Sequence, residues 1–527
     1  MGRKKNFEKL KKKTFQRVGI PVGEWTVLAT IESFGIREVD AKPDYGYDSL
    51  VELAHAIEES IAGNTKDWQK ASKNGSKLYP VNAYMQVPVN WFFQYYISGL
   101  VQLFPILIQI IAIIYFNYSL WTYLDFNLYQ STAVVLGVIL GFVISGGFVQ
   151  VIGRQSFFYW QHKKYDKAKD VIYTFLRLGA KGMVLALLVL IAVNFFFNLY
   201  TQRFMLVLVV YAFLVGFLLI TLAPFHPLNK RSIITLSISV ATILALVLFK
   251  FTDLHVYFTH WLGIGVAILI NLLCLKAYLP KQKISETVVQ RPRKLMVAYK
   301  TYRYFFYGIL IFVFFFIDRL LAWSVNTDLN SAFIFQYEKN YEIGMDLAIL
   351  MFFSLAGVLE YAISTYSRLL DQWQKSFTVL EANRFNQKFK QLYNRHLLVF
   401  LVTSVVAGLL IYLIITQPWG YLANFGVEVP LLSIHVCLVG AIGYVFLTLG
   451  MMNVLYMFTL NRSKEGLNAL IVATLANFII GFLSSRFISY EYSVVGLLFG
   501  AMVFMVMTTH SVKKFFKKMD YEYYAAY

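Results

Sequence analysis

The chain has 527 residues, of which 58% are hydrophobic and only 15% are charged, and its mean hydropathy is +0.57. Soluble chains carry about 25% charged residues, so this composition excludes a disordered or coiled-coil protein and argues against a soluble multidomain enzyme. The net charge of +19 would suggest nucleic-acid binding in a soluble protein, whereas in a membrane protein it can record which loops face the cytosol.

Residues 1–85 differ in composition from the rest of the chain. They contain a basic start (Arg3 to Arg17), an acidic, helix-like patch (Asp48 to Ser60) and a stretch rich in Lys, Asn, Gly and Ser (Lys66 to Lys77). We predict a helical N-terminal extension in the cytosol.

From Val89 onward, apolar runs of about 20 residues recur, and each is long enough to cross a hydrocarbon core of about 30 Å as a helix. Strands of a β-barrel would be half as long and would alternate apolar and polar residues. The runs therefore predict an all-α integral membrane protein with twelve transmembrane helices, at 90–116, 131–153, 179–200, 204–224, 233–251, 259–279, 302–325, 343–366, 397–417, 432–458, 465–485 and 490–511.

Lys and Arg are concentrated in alternate connections between these runs. They crowd residues 154–181, 281–300 and 367–396 and the C-terminal tail, whereas 117–130 and 418–431 contain none. Because positive charge marks cytosolic loops, this pattern predicts a multi-pass protein of the plasma membrane with both termini in the cytosol. Anionic lipid headgroups, rather than nucleic acid, are the expected neighbours of these loops.

The long basic loops follow the second run of each set of six, which indicates an internal repeat. Transporters commonly use such a plan, in which one half rocks against the other around a central cavity. The predicted organisation is a 1–85 extension, an N-lobe at 86–280, a cytosolic linker at 281–300, a C-lobe at 301–511 and a tail at 512–527. A chance agreement of loop lengths is the alternative.

The first run carries a polar stripe. Its members are spaced by three or four residues, so they share one face of a helix: Gln94, Ser98, Gln102, Pro105 and Gln109. Two readings stay open, a cavity wall that offers amide hydrogen bonds to a hydroxyl-rich cargo, and interhelical hydrogen bonds that only hold helices together. Pro105 removes a backbone hydrogen bond and predicts a kink or hinge.

Ionisable residues inside the runs are few, and buried carboxylates in transporters commonly mark proton or cation relays. The candidates for coupling or gating are Asp318, Arg319, Asp346 and Glu360. Alternatively, Asp318 pairs with Arg319 or with another helix while Arg319 extends outward to the interface, and Glu360 faces the cytosolic mouth and is solvated.

Other polar residues give weaker signals. Candidates for a cavity lining are Asn194, Asn271, Asn453, Asn468 and Asn477, and His435 fits a hydrogen-bonded core histidine better than a proton carrier. Cys274 and Cys437 offer no metal-binding spacing, and no nucleotide-binding or hydrolase motif is present. We therefore predict no cofactor, no metal site and no enzymatic activity.

The segment Gln150–Ala168 (QVIGRQSFFYWQHKKYDKA) resembles the corresponding loop of the MATE-like (MOP) flippase and exporter superfamily, in which an Arg and aromatic residues precede a basic stretch. Within it, the chain is similar to the Pel exopolysaccharide transporters. Asp318-Arg319 followed by Trp323 matches their Asp-Lys and Phe-Trp pattern, and Tyr341-Glu342 followed by Met345–Ala348 matches the opening of their eighth helix.

The resemblance covers about residues 88–527. It implies a MATE-like pair of six-helix lobes that exports an exopolysaccharide or lipid-linked saccharide by alternating access. It also implies partners, namely a cytosolic glycosyltransferase and the membrane subunits of a synthase complex. The extension would then be either a docking module for the synthase or a membrane-surface anchor that uses Lys4 to Lys13.

Two alternatives remain at this point. One is a cation-coupled multidrug antiporter of the same fold, although the first six runs hold almost no mid-span acid. The other is a polytopic acyl- or glycosyltransferase that uses His435, although the first external loop offers only Asp125 rather than an acidic cluster.

Overall fold

The structure is a computed structural model that describes residues 2–18, 24–63, 89–101, 103–161, 164–228, 230–279, 294–325, 334–374, 382–426 and 428–526. These residues fold almost entirely into helices joined by short turns. The N-terminal extension contains α1 (Gly2–Val18), α2 (Glu24–Ser33), α3 (Glu38–Asp40) and α4 (Leu50–Gly63). It is therefore helical, as predicted, and residues 64–88 lie outside the described part.

The N-terminal helices share a small hydrophobic core. Val27 and Ile31 of α2 pack with Leu53 and Ile57 of α4, and Leu10 of α1 joins them. The apolar side of the basic helix α1 is therefore used inside this core, and it is not available to insert into a membrane. A surface anchor that uses α1 would rely on exposed residues such as Lys12 and Lys13, which attract anionic headgroups without burial.

The rest of the chain forms long apolar helices. The N-lobe contains α5 (Val89–Val101), α6 (Phe104–Phe116), α7 (Leu128–Gln161), α8 (Tyr165–Phe197), α9 (Gln202–Leu222), α10 (Arg231–Phe251) and α11 (Val256–Tyr278). The C-lobe contains α12 (Lys294–Trp323), α13 (Lys339–Trp373), α14 (Ala382–Thr416), the short α15 (Tyr421–Phe425), α16 (Leu431–Thr459), α17 (Ser463–Phe487) and α18 (Ser493–Lys517), and α19 (Met519–Ala526) follows. Eleven described helices are long and apolar enough to span a membrane, and the bent pair α5–α6 makes twelve. The prediction of twelve spans is confirmed.

Several helices are longer than their apolar runs. Helices α13 and α14 have 35 residues each, which corresponds to about 52 Å against a hydrocarbon core of about 30 Å. The predicted basic loop at 154–181 is mostly helical, because α7 continues to Gln161 and α8 begins at Tyr165. Lys, Arg and Ala favour helices in water, so the helices continue after their hydrophobicity ends. The described helix α12 likewise begins inside the predicted linker.

The chain divides into two compact units, and the smaller one comprises residues 1–92, 364–394 and 516–527. Within it the ends of α13 and α14 share an aromatic cluster with the tail. Phe389 packs edge-on against Tyr366 and Trp373, and Phe516 packs edge-on against Tyr366. The backbone nitrogen of Asp520 donates to Oδ1 of Asn386 at 3.0 Å. The start of α19 is thereby fixed onto α14.

The larger unit comprises residues 93–363 and 395–515, and it holds both lobes. The lobes meet along α7 and α12, where a Cβ atom at Gly146 would overlap the carbonyl oxygen of Gly308. Phe142 packs against Phe312 in this contact, and Phe148 packs against Phe305. Only glycine permits this approach of two helix backbones, so the position of one lobe against the other is set by close packing.

The connection between α6 and α7 enters the core of the N-lobe. Tyr118 and Leu120 are fully buried among residues of α9, α10 and α11. Gln109 of α6 accepts a hydrogen bond from the backbone nitrogen of Leu120 and donates to Thr242, both at 2.8 Å. The amide of Gln109 thus ties its own helix, this connection and α10 together.

Candidate functional site

Three of the four predicted charged residues converge in the C-lobe. Asp318 and Arg319 lie on α12, and Asp346 lies on α13 one turn after Glu342. Arg319 is 7% exposed, Glu342 is 2% exposed and Asp318 is fully buried. In contrast, the Asp346 side chain is 68% exposed. The cluster therefore has a buried interior and one exposed carboxylate.

Arg319 is the centre of this cluster. Its Nη1 donates to Oε2 of Glu342 in a close ion pair, and Nη1 and Nη2 donate to Oδ1 of Asp346 at 3.3 and 3.4 Å. Trp323 Nε1 donates to the second oxygen of Glu342 at 2.9 Å. An Arg319 that extends outward to the interface is therefore not what the structure shows. Glu342 and Asp346 are four residues apart on one helix face and hold the guanidinium inside the lobe.

Asp318 takes no part in the ion pair with its neighbour. Tyr341 Oη donates to Oδ2 of Asp318 at 2.7 Å, and Oδ1 has no hydrogen-bond partner within the described residues. Consecutive helical side chains point about 100° apart, so Asp318 and Arg319 face different neighbours. A buried, ionised carboxylate oxygen without a hydrogen bond is expensive, so Oδ1 is the atom of Asp318 at which protonation would relieve that cost.

The charge balance of the cluster is negative. The cluster holds three carboxylates and one guanidinium: Glu342 and Asp346 pair with Arg319, whereas Asp318 accepts a hydrogen bond from Tyr341. Nowhere in the described ranges do three His, Cys, Asp or Glu side chains stand close enough to hold a metal ion. Glu342 and Asp346 face Arg319 and Asp318 faces Tyr341, so the three carboxylates do not converge on one point, and this arrangement suits protonation better than metal coordination.

The fourth predicted residue, Glu360, lies elsewhere on α13. It accepts a hydrogen bond from Arg231 of the N-lobe helix α10 at 2.9 Å. Only 20% of the Glu360 side chain is exposed. The alternative was a fully solvated Glu360 at the cytosolic mouth. The structure does not show this, because the side chain is paired and mostly buried.

The polar stripe of the first span is divided between different environments. Gln94 is exposed, Ser98 accepts a hydrogen bond from Arg231, and Gln109 is buried and paired as described above. Gln102 lies outside the described residues. Helices α5 and α6 meet at 56°, and Pro105 stands in the first turn of α6, just after the break. Gln109 thus has the contacts expected of a residue that holds helices together.

Two asparagines that were candidates for a cavity lining form hydrogen bonds to nearby backbone or side-chain atoms. Asn194 bonds to both the backbone nitrogen and the carbonyl oxygen of Tyr200, and so closes the turn after α8. Asn271 is buried and its Nδ2 donates to Oγ1 of Thr221 at 3.4 Å, while its Oδ1 has no hydrogen-bond partner within the described residues. His435 is exposed, with its ring 5.3 Å from that of Tyr492. The prediction of a core histidine is wrong here, because apolar neighbours in a membrane helix can face lipid as well as protein.

Two partners in these ion pairs were not predicted from the sequence. Glu342 was noted only in a motif, and Arg231 was not singled out. The spacing of Glu342 and Asp346 could have shown that both acids share a face. Nothing in the sequence could have shown which helix supplies their cation.

Comparisons with known proteins address the fold. No family model matches the sequence, and no curated protein is similar to it. The structure is similar to that of the eukaryotic MATE transporter AtDTX14, with a TM-score of 0.59 and 14% identity over 83% of this chain and 99% of that chain.

Two further similar structures are those of a multidrug resistance MATE family transporter of the MOP superfamily. The outward-facing conformation gives a TM-score of 0.57 and the inward-facing one 0.54, each with 11% identity over 82% of this chain and 96% of that chain. The predicted resemblance to the MATE-like superfamily is confirmed at the level of the fold, and closeness to the Pel transporters stays a prediction. The chain has the MATE fold, two lobes of six transmembrane helices each, preceded by a small N-terminal extension.

Proposed function

We propose that the protein exports an exopolysaccharide or a lipid-linked saccharide across the plasma membrane by alternating access of its two lobes. The observation that carries the proposal is the two-lobed MATE fold itself, since such lobes can rock about a shared interface. The resemblance of segments in α7, α12 and α13 to exopolysaccharide transporters supports a saccharide cargo. The alternation of Lys and Arg between connections supports cytosolic termini.

The cluster around Arg319 in the C-lobe would couple export to the binding of a proton or a cation. Asp318 has a buried oxygen without a described partner, and Asp346 is exposed at the edge of the same cluster. A proton or a cation that binds there changes the balance of charge around Arg319, and therefore the packing of α12 against α13. We infer that Asp318 is the coupling residue and that Asp346 is the carboxylate that ions reach first.

The experiment that tests the cargo begins with deletion of the gene. Surface polymers and lipid-linked saccharides are then extracted and identified from the deletion strain and from the strain that carries the restored gene. Loss of one polymer, or accumulation of one lipid-linked saccharide on the cytosolic side, supports export. An unchanged profile of both would remove the proposal.

Coupling is tested in the restored strain at matched protein levels. We expect Asp318→Asn to reduce secretion about 10-fold or more, because the site loses its titratable oxygen. Asp125→Asn is the control, since Asp125 is an exposed carboxylate in the connection before α7. Equal secretion by both variants and the wild-type protein would exclude a coupling role for Asp318.

A cation-coupled multidrug antiporter is a second candidate, and the negative balance of the C-lobe cluster favours it because cationic drugs seek carboxylates. Cells that express the protein would then resist cationic drugs and lose this resistance in Asp346→Asn. An acyl- or glycosyltransferase that uses His435 would instead transfer a labelled donor in purified form. Neither result is expected from a saccharide exporter.

We also propose that the N-terminal extension binds a cytosolic glycosyltransferase of the synthase. Its helices form their own core, and the apolar side of α1 is used in it. The extension would therefore present a folded surface rather than a membrane-inserted helix. Removal of residues 1–63 should abolish co-purification of the glycosyltransferase while the transmembrane part still folds. Retained co-purification would contradict this role.

A further inference from the structure

An ion pair joins the two lobes at the predicted cytosolic ends of three helices. Arg231, the first residue of α10, donates from Nη2 to Oε1 of Glu360 on α13 at 2.9 Å. Its Nη1 donates to Oγ of Ser98 on α5 at 3.1 Å. Only 23% of the arginine and 20% of the glutamate side chain are exposed. Since α5 and α10 belong to the N-lobe and α13 to the C-lobe, this contact crosses from one lobe to the other.

Around the ion pair, α5 and α13 approach until their backbones touch. A Cβ atom at Gly99 would lie 2.8 Å from Cα of Gly357 and 2.9 Å from Cβ of Glu360. One turn earlier, Tyr96 Oη donates to the carbonyl oxygen of Ser354 at 3.2 Å. Ser354, Gly357 and Glu360 recur every three residues, so they lie along one side of α13. The ion pair is therefore the polar end of a tight seam between the lobes.

We propose that Arg231 and Glu360 form a latch, which holds the predicted cytosolic ends of the lobes together in this structure and opens in each transport cycle. The inference rests on the proposed transport function, since alternating access requires the lobes to part on the side where cargo enters. Helices α10 and α13 cannot separate unless the ion pair breaks. Each charge then needs water or a new partner, so the latch opposes opening until the gap is hydrated.

The surroundings of the latch supply a matched control. Lys230 precedes Arg231 and also carries one positive charge, but its Nζ lies over the ring of Tyr278, 4.9 Å from the centroid and within the N-lobe. Replacement of Lys230 removes the same charge from the same helix end without touching the C-lobe. His226, in the turn before α10, interacts electrostatically with both latch residues. All measurements therefore use one fixed pH.

The latch is tested by distances between the lobes in the purified full-length protein. One spin label is placed at Lys164→Cys, before α8, and the other at Lys464→Cys, in the first turn of α17, where both side chains are exposed. Cys274 and Cys437 are replaced by alanine to avoid background labelling. Double electron–electron resonance in lipid nanodiscs then gives the populations of short and long distances, without any cargo.

We expect Glu360→Gln and Arg231→Gln each to raise the ratio of open to closed populations about 10-fold, because a charge-assisted hydrogen bond between the lobes is lost. The exchange variant Arg231→Glu with Glu360→Arg should return the ratio towards that of the wild-type protein. Lys230→Gln should leave it unchanged. Glu360→Asp keeps the charge and shortens the side chain, so it should give an intermediate ratio of open to closed populations. This variant tests the latch if a glutamine variant fails to fold.

Wild-type distance distributions in both glutamine variants would overturn the latch. An equal shift in Lys230→Gln would also overturn it, since the effect would then come from net charge rather than from the pair. These distances are measured without cargo and without secretion. Failure of the export experiment would therefore refute the proposed function while the distance measurements still decide whether the lobes are latched.

Discussion

Replacement of Arg319 by methionine tests whether the C-lobe is held by a buried ion pair. Methionine keeps much of the length of the side chain and removes all five donors. Glu342 is 2% exposed and would keep only the hydrogen bond from Trp323. Asp346 would lose less, because its side chain is 68% exposed and its contacts with Arg319 are long, at 3.3 and 3.4 Å. The cost therefore comes chiefly from Glu342.

The expected loss of stability follows from this difference in burial between Glu342 and Asp346. Removal of one partner from a buried ion pair costs about 3–5 kcal/mol, because an uncompensated charge is left behind. The remaining hydrogen bond to Trp323 and protonation of Glu342 both reduce the cost, so we expect a loss of about 3 kcal/mol in the free energy of unfolding. The double variant Arg319→Met with Glu342→Gln removes the buried charge and should recover about 1–3 kcal/mol of that loss.

The assay is denaturant unfolding of the purified protein in one detergent, followed by helicity. Arg486→Met is the matched control, since Arg486 is exposed on α17 of the same lobe and bonds to Ser324. Such a surface change should cost less than about 0.5 kcal/mol. If Arg319→Met is as stable as the control, or if Glu342→Gln adds to the loss instead of relieving it, the ion pair does not hold the lobe together.

Two further predictions use the same assay with paired controls. Gly146→Ala should lower the free energy of unfolding by about 1–3 kcal/mol, because the new Cβ meets the carbonyl oxygen of Gly308. Gly153→Ala is its control, since a Cβ at Gly153 meets nothing within 4 Å. Similar unfolding midpoints for the two alanine variants would contradict the close contact between the lobes. Gln109→Leu should cost about 1–3 kcal/mol, because it leaves a buried backbone nitrogen without its acceptor. The exposed Gln94→Leu should be nearly neutral, and an equal cost at both glutamines would refute the structural role of Gln109.

The spans were predictable because hydrocarbon imposes a minimum length on every helix that crosses it. Their ends were not, since nothing in hydropathy marks where a helix stops in water. Helix α8 shows this: its apolar run was placed at residues 179–200, yet the helix begins at Tyr165. The intervening Lys and Ala residues are good helix formers, and a propensity-based reading of the loop could have recovered that extension.

The candidate site was predictable only one helix at a time. Asp318, Arg319 and Asp346 stood out because charges inside apolar runs are rare. Their pairing depends on which faces of α12 and α13 meet, and a single sequence holds no signal for that contact. For the same reason Arg231 escaped notice: at the start of a helix it reads as an ordinary residue of a basic turn, and only its distance from Glu360 sets it apart.

Helix α13 carries the acids of both ion pairs, and the two pairs must behave differently if the lobes rock. Glu342 pairs with Arg319 of α12, and both helices belong to the C-lobe, so this pair can persist when the lobes move as bodies. Glu360, about 27 Å further along the same helix, pairs with Arg231 of the N-lobe. Rocking has to break that pair. Stability should therefore depend chiefly on Arg319, and the balance between conformations chiefly on Arg231. A protein with immobile lobes would show the same kind of loss at both arginines.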